Sequence, residues 1–165
     1  MTLTIEREPA DTEEAILLLQ ARDEENFDLY APEERFAVPL DAHVDDNLIF
    51  YVAREEGRPI GCGALQRHDA YCEMKSVFLL PEARGRRLGQ AIIAALEEAA
   101  RGLGYKEVRL ETGIRSPGAI RTYERAGYNR CERFGDYPVA ETSVYMMKQL
   151  PFDGASGLTA APDSN

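Results

Sequence analysis

The segment Tyr71-Cys72-Glu73-Met74-Lys75-Ser76-Val77-Phe78-Leu79-Leu80-Pro81-Glu82-Ala83-Arg84-Gly85-Arg86-Arg87-Leu88-Gly89-Gln90-Ala91 holds a strand, its stop and the start of a helix in one run. Tyr71 to Leu80 reads as a strand, and Pro81, which brings no N–H to a ladder, ends it. Beyond it, Leu88, Ile92, Leu96, Ala99 and Leu103 recur at helical spacing, while Gly102 and Gly104 supply a stop, so a helix runs from Leu88 to Leu103. The junction Arg84-Gly85-Arg86-Arg87-Leu88-Gly89-Gln90 sets two glycines and three arginines where the unpaired amides and positive dipole end of that helix point. A strand, a glycine-containing turn and a helix N-terminus make an anion site, and a pyrophosphate suits it. The loop is not a P-loop, because no Gly-Lys-Ser/Thr follows. It is not a dinucleotide fingerprint either, because the third glycine is missing and a hairpin meander precedes it. A surface turn with solvated arginines is the competing reading.

Outward from this junction the chain alternates strands and helices. Thr2 to Arg7 reads as a strand, and Asp11 or Thr12 caps a helix that runs to about Asn26. Residues 27–46, with Pro32 and Pro39, read as a short helix plus loops. Asn47 to Arg54 and Ile60 to Gln66 form a hairpin around Glu55-Glu56-Gly57-Arg58-Pro59. Glu107 to Thr112 makes a strand, Ser116 caps a helix with Pro117 at its first position, and Gly127 ends it. Tyr128 to Phe134 and Thr142 to Gln149 read as two last strands around the loop Gly135-Asp136-Tyr137-Pro138. The expected fold is a single α/β domain over residues 1–150, a mixed, mostly antiparallel twisted sheet of six to seven strands flanked by helices. Residues 151–165, rich in Gly, Ala, Ser, Asp and Pro, read as a disordered tail.

Composition narrows the function. With 165 residues, 44% hydrophobic and 29% charged, the chain is sized for one folded domain. No apolar run approaches the roughly 20 residues of a membrane span, and the N-terminus lacks a signal pattern, so a cytoplasmic protein is expected. A net charge of -10 argues against a nucleic-acid partner. The charge is uneven: residues 1–60 hold 16 acids and 5 bases, residues 61–150 hold 11 acids and 14 bases. A basic half that meets an anion and an acidic half that draws a cation is one reading, and acids that merely solvate helix faces is the other. Cys62, Cys72 and Cys131, beside His43 and His68, are too few for a disulfide framework or a zinc site, so no metal is expected. Cys62 and Cys72 fall on paired strands and read as free buried thiols; the two histidines show no partner and read as surface or packing residues.

Four pieces of the sequence, in order, resemble the GNAT superfamily of acetyl-CoA-dependent N-acetyltransferases. Glu73 to Leu79 is similar to its central strand, and Arg84-Gly85-Arg86-Arg87-Leu88-Gly89 resembles its Arg/Gln-x-x-Gly-x-Gly loop. Val108-Arg109-Leu110-Glu111-Thr112 resembles the following strand, and Ala119-Ile120-Arg121-Thr122-Tyr123-Glu124-Arg125-Ala126-Gly127-Tyr128 its tyrosine-bearing helix. Arg87 departs from the pattern's middle glycine, and Ser116 stands where the family commonly has asparagine. The resemblance implies that the backbone of Val77, Phe78 and Leu79 pairs with the pantetheine arm of acetyl-CoA. It implies further that the amides of Gly85 to Gln90 hold the pyrophosphate, with Arg84, Arg86, Arg87, Leu88 and Ser116 around it, and that the Val77 amide polarises the thioester carbonyl.

The same resemblance casts Tyr123 as the acid that protonates the departing thiolate, a proton transfer between groups of similar basicity. Glu73 is the first candidate for the base that frees the amine and Glu111 the second; the competing reading for each is a strand carboxylate paired with Arg109 or Lys75. The first helix and the loop between the last two strands commonly wall the acceptor groove, which makes Glu25, Tyr30, Asp136 and Tyr137 candidate contacts for a cationic amine. The expected activity is direct acetyl transfer to a primary amine of a small molecule, an amino acid or a lysine-bearing peptide. Acetylation of a protein, or a silent CoA-binding sensor or interaction module, are the alternatives. An exposed sheet edge permits a homodimer without specifying one.

Overall fold

The computed structural model describes residues 2–39 and 45–151. All but Pro151 of the expected tail, and His43, lie outside the described residues. The elements are β1 (Leu3–Arg7), α1 (Glu13–Leu29), a 3-10 turn (Pro32–Glu34), β2 (Leu48–Glu55), β3 (Arg58–Arg67), β4 (Cys72–Leu79), a second 3-10 turn (Pro81–Ala83), α2 (Leu88–Gly102), β5 (Glu107–Gly113), α3 (Pro117–Arg125), β6 (Asn129–Arg130) and β7 (Ser143–Gln149). They build one seven-stranded sheet in the order β1-β2-β3-β4-β5-β7-β6, antiparallel at every pair except β4–β5. Among the described residues no helix is long and apolar enough to cross a membrane.

The helices divide between the two faces according to their apolar stripes. Thr12 caps α1 by accepting from the Ala15 amide at 3.1 Å, a contact that contributes about 1 kcal/mol. Ala15, Leu18 and Leu19 of α1 then bury against Phe50, Val52, Cys62, Ala64 and Phe78. On the opposite face Ile92, Ile93, Leu96 and Ala100 of α2, with Ile120 and Tyr123 of α3, cover Ile49, Leu65, Met74, Val108 and Leu110.

Two features shape the middle of the sheet. In the β3–β4 ladder Cys62 pairs with Phe78 but Ala64 with Lys75, so two residues of β4 oppose one of β3. That is a bulge, and Ser76 within it sits at φ 55. Between β4 and β5 only Cys72 to Met74 pair, with Val108 to Leu110. Past Met74 the two strands part, β4 continuing beside β3 and β5 beside β7, and a wedge opens through the sheet.

Side chains from α1 hold the wedge open. Arg22, buried on the helix face that should be apolar, donates to Ser76 Oγ at 2.6 Å and to the Val38 carbonyl at 3.0 Å, and pairs with Asp23 at 2.6 Å. At the helix end Tyr30 is buried, and its hydroxyl accepts from the Arg115 amide at 2.8 Å and bonds Ser116 Oγ at 2.9 Å. This contact explains why α1 runs to Leu29 rather than stopping near Asn26: Tyr30 has to reach the β5–α3 loop before Pro32 turns the chain.

Two expectations are corrected. The strand over Tyr128 to Phe134 shrinks to Asn129–Arg130, because Phe134 leaves the sheet edge to bury among Tyr71, Tyr137 and Tyr145 at centroid distances of 5.5 to 5.6 Å. Ser116 stands at the α3 N-cap but makes no side-chain cap, since its hydroxyl is engaged by Tyr30. Cys62 and Cys72 are, as read from the sequence, free buried thiols on the paired strands β3 and β4, with Phe78 and Arg67 as their partners across the ladder.

The thiols and the Tyr30 contact give two tests. Burial pushes the Cys62 thiol up to about 12 and the Cys72 thiol up to about 11, so both are protonated and enclosed. Ellman's reagent is expected to label Cys131 alone among the three cysteines of the native chain, and all of them in denaturant. A Cβ at Gly113 would overlap the ring and hydroxyl of Tyr30. Gly113→Ala is therefore expected to destabilise by about 1–3 kcal/mol, read as a fall in Tm of roughly 2–4 °C per kcal/mol.

Candidate active site

The wedge is the mouth of a cleft of about 1140 Å³ that passes between β4 and β5. Met74 to Leu79 form one wall, Glu111 to Gly113 with Ser116 and α3 the other, and the first turn of α2 closes one end. Past Met74 the edge of β4 that would face β5 has no strand beside it, so Val77, Phe78 and Leu79 present extended backbone to whatever fills the cleft.

At the α2 end the chain builds an anion cradle. Gly85 takes φ 86 and Arg87, the N-cap, φ 63, a left-handed pair of positions that turns the chain into the helix. Leu88, Gly89 and Gln90 have no intrahelical acceptor, no side chain caps them, and the first helical turn carries no acid. Ala91 makes the first helical bond, to the Arg87 carbonyl at 3.3 Å. Arg87 lines the cleft, joined by Arg121 and Arg125 of α3, which the sequence analysis did not single out. Unpaired amides at a positive helix end among arginines are the donor set a diphosphate requires.

The other two arginines of the junction are engaged elsewhere. Arg86 turns away to pair with Glu55 at 2.7 Å and does not line the cleft. Arg84 lines it but donates to the Leu79 carbonyl at 2.9 Å and pairs with Glu25 across the mouth at 2.8 Å. That pair occupies Glu25, expected to meet an acceptor. Of the other expected acceptor contacts, Tyr30 lines the cleft with its hydroxyl already bonded, Tyr137 lines it, and Asp136 is exposed and outside it.

The reactive groups approach the wedge from opposite faces. Tyr123, on α3, is buried, lines the cleft and stacks edge-on against Tyr128 at 5.9 Å. Burial, and next the charge of Glu111, push its hydroxyl well above the usual phenol range. Glu111 lines the cleft from β5, one residue past the last β4–β5 pair, and Ser143 Oγ donates to its Oε2 at 2.7 Å. Burial raises its carboxyl above the usual carboxylate range; Ser143 and the Lys75 charge oppose the shift, and the Glu73 charge adds to it. The shifts bring the Glu111 carboxyl closer to neutral pH than an ordinary glutamate and keep the Tyr123 hydroxyl protonated.

Glu73 sits differently. It is 3% exposed and absent from the cleft wall. Tyr137 donates to its Oε2, Lys75 Nζ pairs with the same oxygen at 3.2 Å, and His68 Nε2 lies 3.0 Å from Oε1. The expected Lys75 pairing is thus present, and His68, read as partnerless, has a carboxylate partner and a stacked neighbour, Tyr71, at 4.6 Å. Glu73 and Lys75 are two apart on a strand and so share a face, a signal the sequence carried; the reach of His68 and Tyr137 to that face depends on loop paths it did not. Arg22 was legible in part, as a charge four residues from Leu18 on an apolar stripe.

Comparison with known proteins agrees with this geometry. The model of the acetyltransferase (GNAT) family matches residues 14–128. An IAA acetyltransferase of Azospirillum brasilense is 31% identical over 150 residues, covering 90% of this chain and 98% of the relative. The aminoalkylphosphonate N-acetyltransferase of Salmonella typhimurium is 29% identical over 73% of this chain and 80% of its own. The crystal structure of a putative acyl-CoA N-acyltransferase from Klebsiella pneumoniae superposes with a TM-score of 0.77 at 33% identity, over 90% of this chain and 98% of that one. A wedge-split sheet with an anion cradle at one end, matched by family model, relatives and solved structure alike, establishes that the chain belongs to the acetyltransferase (GNAT) family and is an acetyl-CoA-dependent N-acetyltransferase.

Proposed function

We propose that this chain moves the acetyl group of acetyl-CoA directly to a primary amine of a small molecule, an amino acid or a lysine-bearing peptide, with Glu111 as base and Tyr123 as acid. The observation that carries the reading is the meeting of these two groups at the wedge from opposite faces of the sheet, close enough for the Glu111 charge to raise the Tyr123 hydroxyl. Acetyl-CoA, when bound, supplies the acetyl thioester. The amides of Gly85 to Gln90, with Arg87, hold its pyrophosphate, and the free edge of β4 at Val77 to Leu79 aligns its extended arm. The Val77 amide would polarise the thioester carbonyl.

The acceptor enters from the α1 face, between Phe36 and Tyr137 on one side and Glu111 on the other. An alkylammonium is drawn by the Glu111 carboxylate and by the two aromatic faces, which stand edge to face at 6.0 Å. The acids of the first sixty residues contribute less than their number suggests. Asp23 is held by Arg22, Glu25 by Arg84 and Glu34 by Arg115; Asp28 also lines the cleft, near the end of α1, and Glu111 is the acid that stands at the wedge and meets the amine. Glu111 Oε1 takes a proton from the attacking nitrogen, and Tyr123 Oη gives one to the leaving sulfur. The proton that Glu111 takes from the amine then restores the Tyr123 hydroxyl.

Free-thiol release from acetyl-CoA against a panel of amines, amino acids and lysine-ended peptides, with a no-acceptor control, tests the reading; binding without turnover across the panel would favour a sensor. Tyr123→Phe is expected to lower kcat about 10²-fold or more with acetyl-CoA affinity nearly intact, and an unchanged kcat would remove Tyr123 from the reaction. A base works only when deprotonated, so kcat falls as pH drops through the raised Glu111 value, at higher pH than an ordinary glutamate would impose; Glu111→Gln is expected to abolish that limb. Gly89 has only ordinary contact space around a Cβ, with Thr122 Cγ2 at 3.5 Å. Gly89→Glu therefore folds but sets an anion at the cradle, and calorimetry should find acetyl-CoA binding lost.

A further inference from the structure

α3 spans only Pro117–Arg125, and Tyr123 stands in its last turn. The direction of the Tyr123 side chain therefore depends on how that helix ends. It ends in a Schellman turn: Gly127 takes φ 98 and its amide donates to the Glu124 carbonyl at 3.0 Å, while the Tyr128 amide donates to the Tyr123 carbonyl at 3.0 Å. Such a turn folds the residue after the glycine back onto the helix, and here the Tyr128 ring meets the Tyr123 ring at 5.9 Å with 68° between their planes. Among the described residues no group hydrogen-bonds the Tyr123 hydroxyl, so the packing around its ring is what aims it into the cleft.

Tyr128 is held at its far end as well. Its side chain is buried, and its hydroxyl donates to Glu97 Oε2 of α2 at 2.7 Å, a charge-assisted bond. Lys148 of β7 donates to Glu97 Oε1 at 2.9 Å and to the Ala126 carbonyl, just past the end of α3, at 2.7 Å. The Glu97 side chain is 12% exposed and that of Lys148 21%, so the pair is shielded from salt. An ammonium on that carbonyl also meets the negative end of the α3 dipole. α2, α3 and β7 are thus pinned at one point, and the ring packed beside that point is Tyr123.

We infer that Tyr128, fixed by Glu97 and Lys148, is a positioning residue that sets the angle at which the Tyr123 ring presents its hydroxyl to the departing sulfur. This rests on the role of Tyr123 as acid proposed above. Glu97, Tyr128 and Lys148 lie outside the cleft wall and act through Tyr123. The ion pair of Glu97 with Lys148 joins α2 to β7 without help from Tyr128. What the Tyr128 hydroxyl adds is a stop along the long axis of its own ring, so that the ring can neither slide nor tilt against its neighbour. An acid must stand within hydrogen-bond reach of the atom it protonates, and a small misplacement of a reacting group is costly in rate. An acid whose own hydroxyl has no partner in the fold depends on a neighbour that has one.

The test compares thiol release by the unaltered chain, Tyr128→Phe, Tyr123→Phe and the double variant, with the panel amine turned over fastest. Tyr128→Phe keeps a ring in the buried seat and leaves the pair of Glu97 with Lys148 in place, so the fold is retained. It is expected to lower kcat about fivefold or more, with KM for the amine and the calorimetric Kd for acetyl-CoA within about twofold. In the Tyr123→Phe background the same change is expected to cost nothing further. An unchanged kcat in Tyr128→Phe, or the same loss in both backgrounds, would overturn the proposal while leaving Tyr123 as the acid; an unchanged kcat in Tyr123→Phe would remove the acid and this proposal together. A second variant, Glu97→Ala, takes away the acceptor of the Tyr128 hydroxyl and is expected to match the Tyr128→Phe loss, the combination being no worse than either alone. Losses that multiply would show Glu97 and Tyr128 acting by separate routes, and would overturn the proposal.

Discussion

The structure depends on the failure of one strand pair. β4 and β5 are bonded over three residues and then separate, and Glu111, Tyr123, Tyr137 and the cradle before α2 all line the cleft that this opening creates. A parallel pair that parts leaves backbone groups without partners, a cost normally avoided in a protein interior. Here the cost is kept bounded from both sides: β5 stays fully bonded to β7 through Gly113, and β4 stays bonded to β3 through a bulge. The bulge is in turn fixed by a buried guanidinium. Arg22 satisfies Ser76 and Val38 at once, and the Cys62 thiol donates to the Ser76 carbonyl at 3.3 Å. A charge in a helix stripe that hydrophobicity alone would fill with leucine is thus tied to the bend that opens the sheet.

Local signals made most of this fold legible in the sequence. Pro81 after a β-rich run, the Leu88 to Leu103 periodicity, Thr12 ahead of an acidic turn and Pro117 after Ser116 each specify a boundary through nearby chemistry, and the elements follow them closely. The exception is informative. Tyr128 to Phe134 reads as a strand between the end of α3 and the Gly135 loop, but Phe134 buries among Tyr71, Tyr137 and Tyr145, and tertiary packing overrides that reading.

The candidate site was legible to the extent that it rests on backbone. The cradle before α2 needs glycine, a helix start and the absence of acid, all of which a sequence displays. Side-chain partners across the fold are another matter. Glu25 and Arg84 are 59 residues apart, and Tyr137 and Glu73 64 apart; no local spacing encodes either meeting. Hence Glu25 appeared free to meet a substrate when it is paired, His68 appeared idle when it is bonded, and the surplus of acid in the first sixty residues looked like a field for cations. Among the described residues six of those sixteen acids are paired with arginines: Glu8 and Glu14 with Arg54, Asp23 with Arg22, Glu25 with Arg84, Glu34 with Arg115 and Glu55 with Arg86. Net charge counted along a chain says little about the potential inside a cleft once such pairs have formed.

The two faces of the sheet carry different duties, with α2, α3 and the anion cradle on one and α1, Phe36 and the Tyr137 loop on the other. The sheet between them acts as a partition, and the wedge is its one doorway among the described residues. Substitutions distant from one another on the two faces should therefore combine additively. A lineage or an engineer could replace the lining around Phe36 and Tyr137 and so change which amine is accepted, without rebuilding the machinery that delivers the acetyl group. Coupling should be confined to the few side chains that stand in the doorway itself, and those are the positions where sequence drift is least affordable.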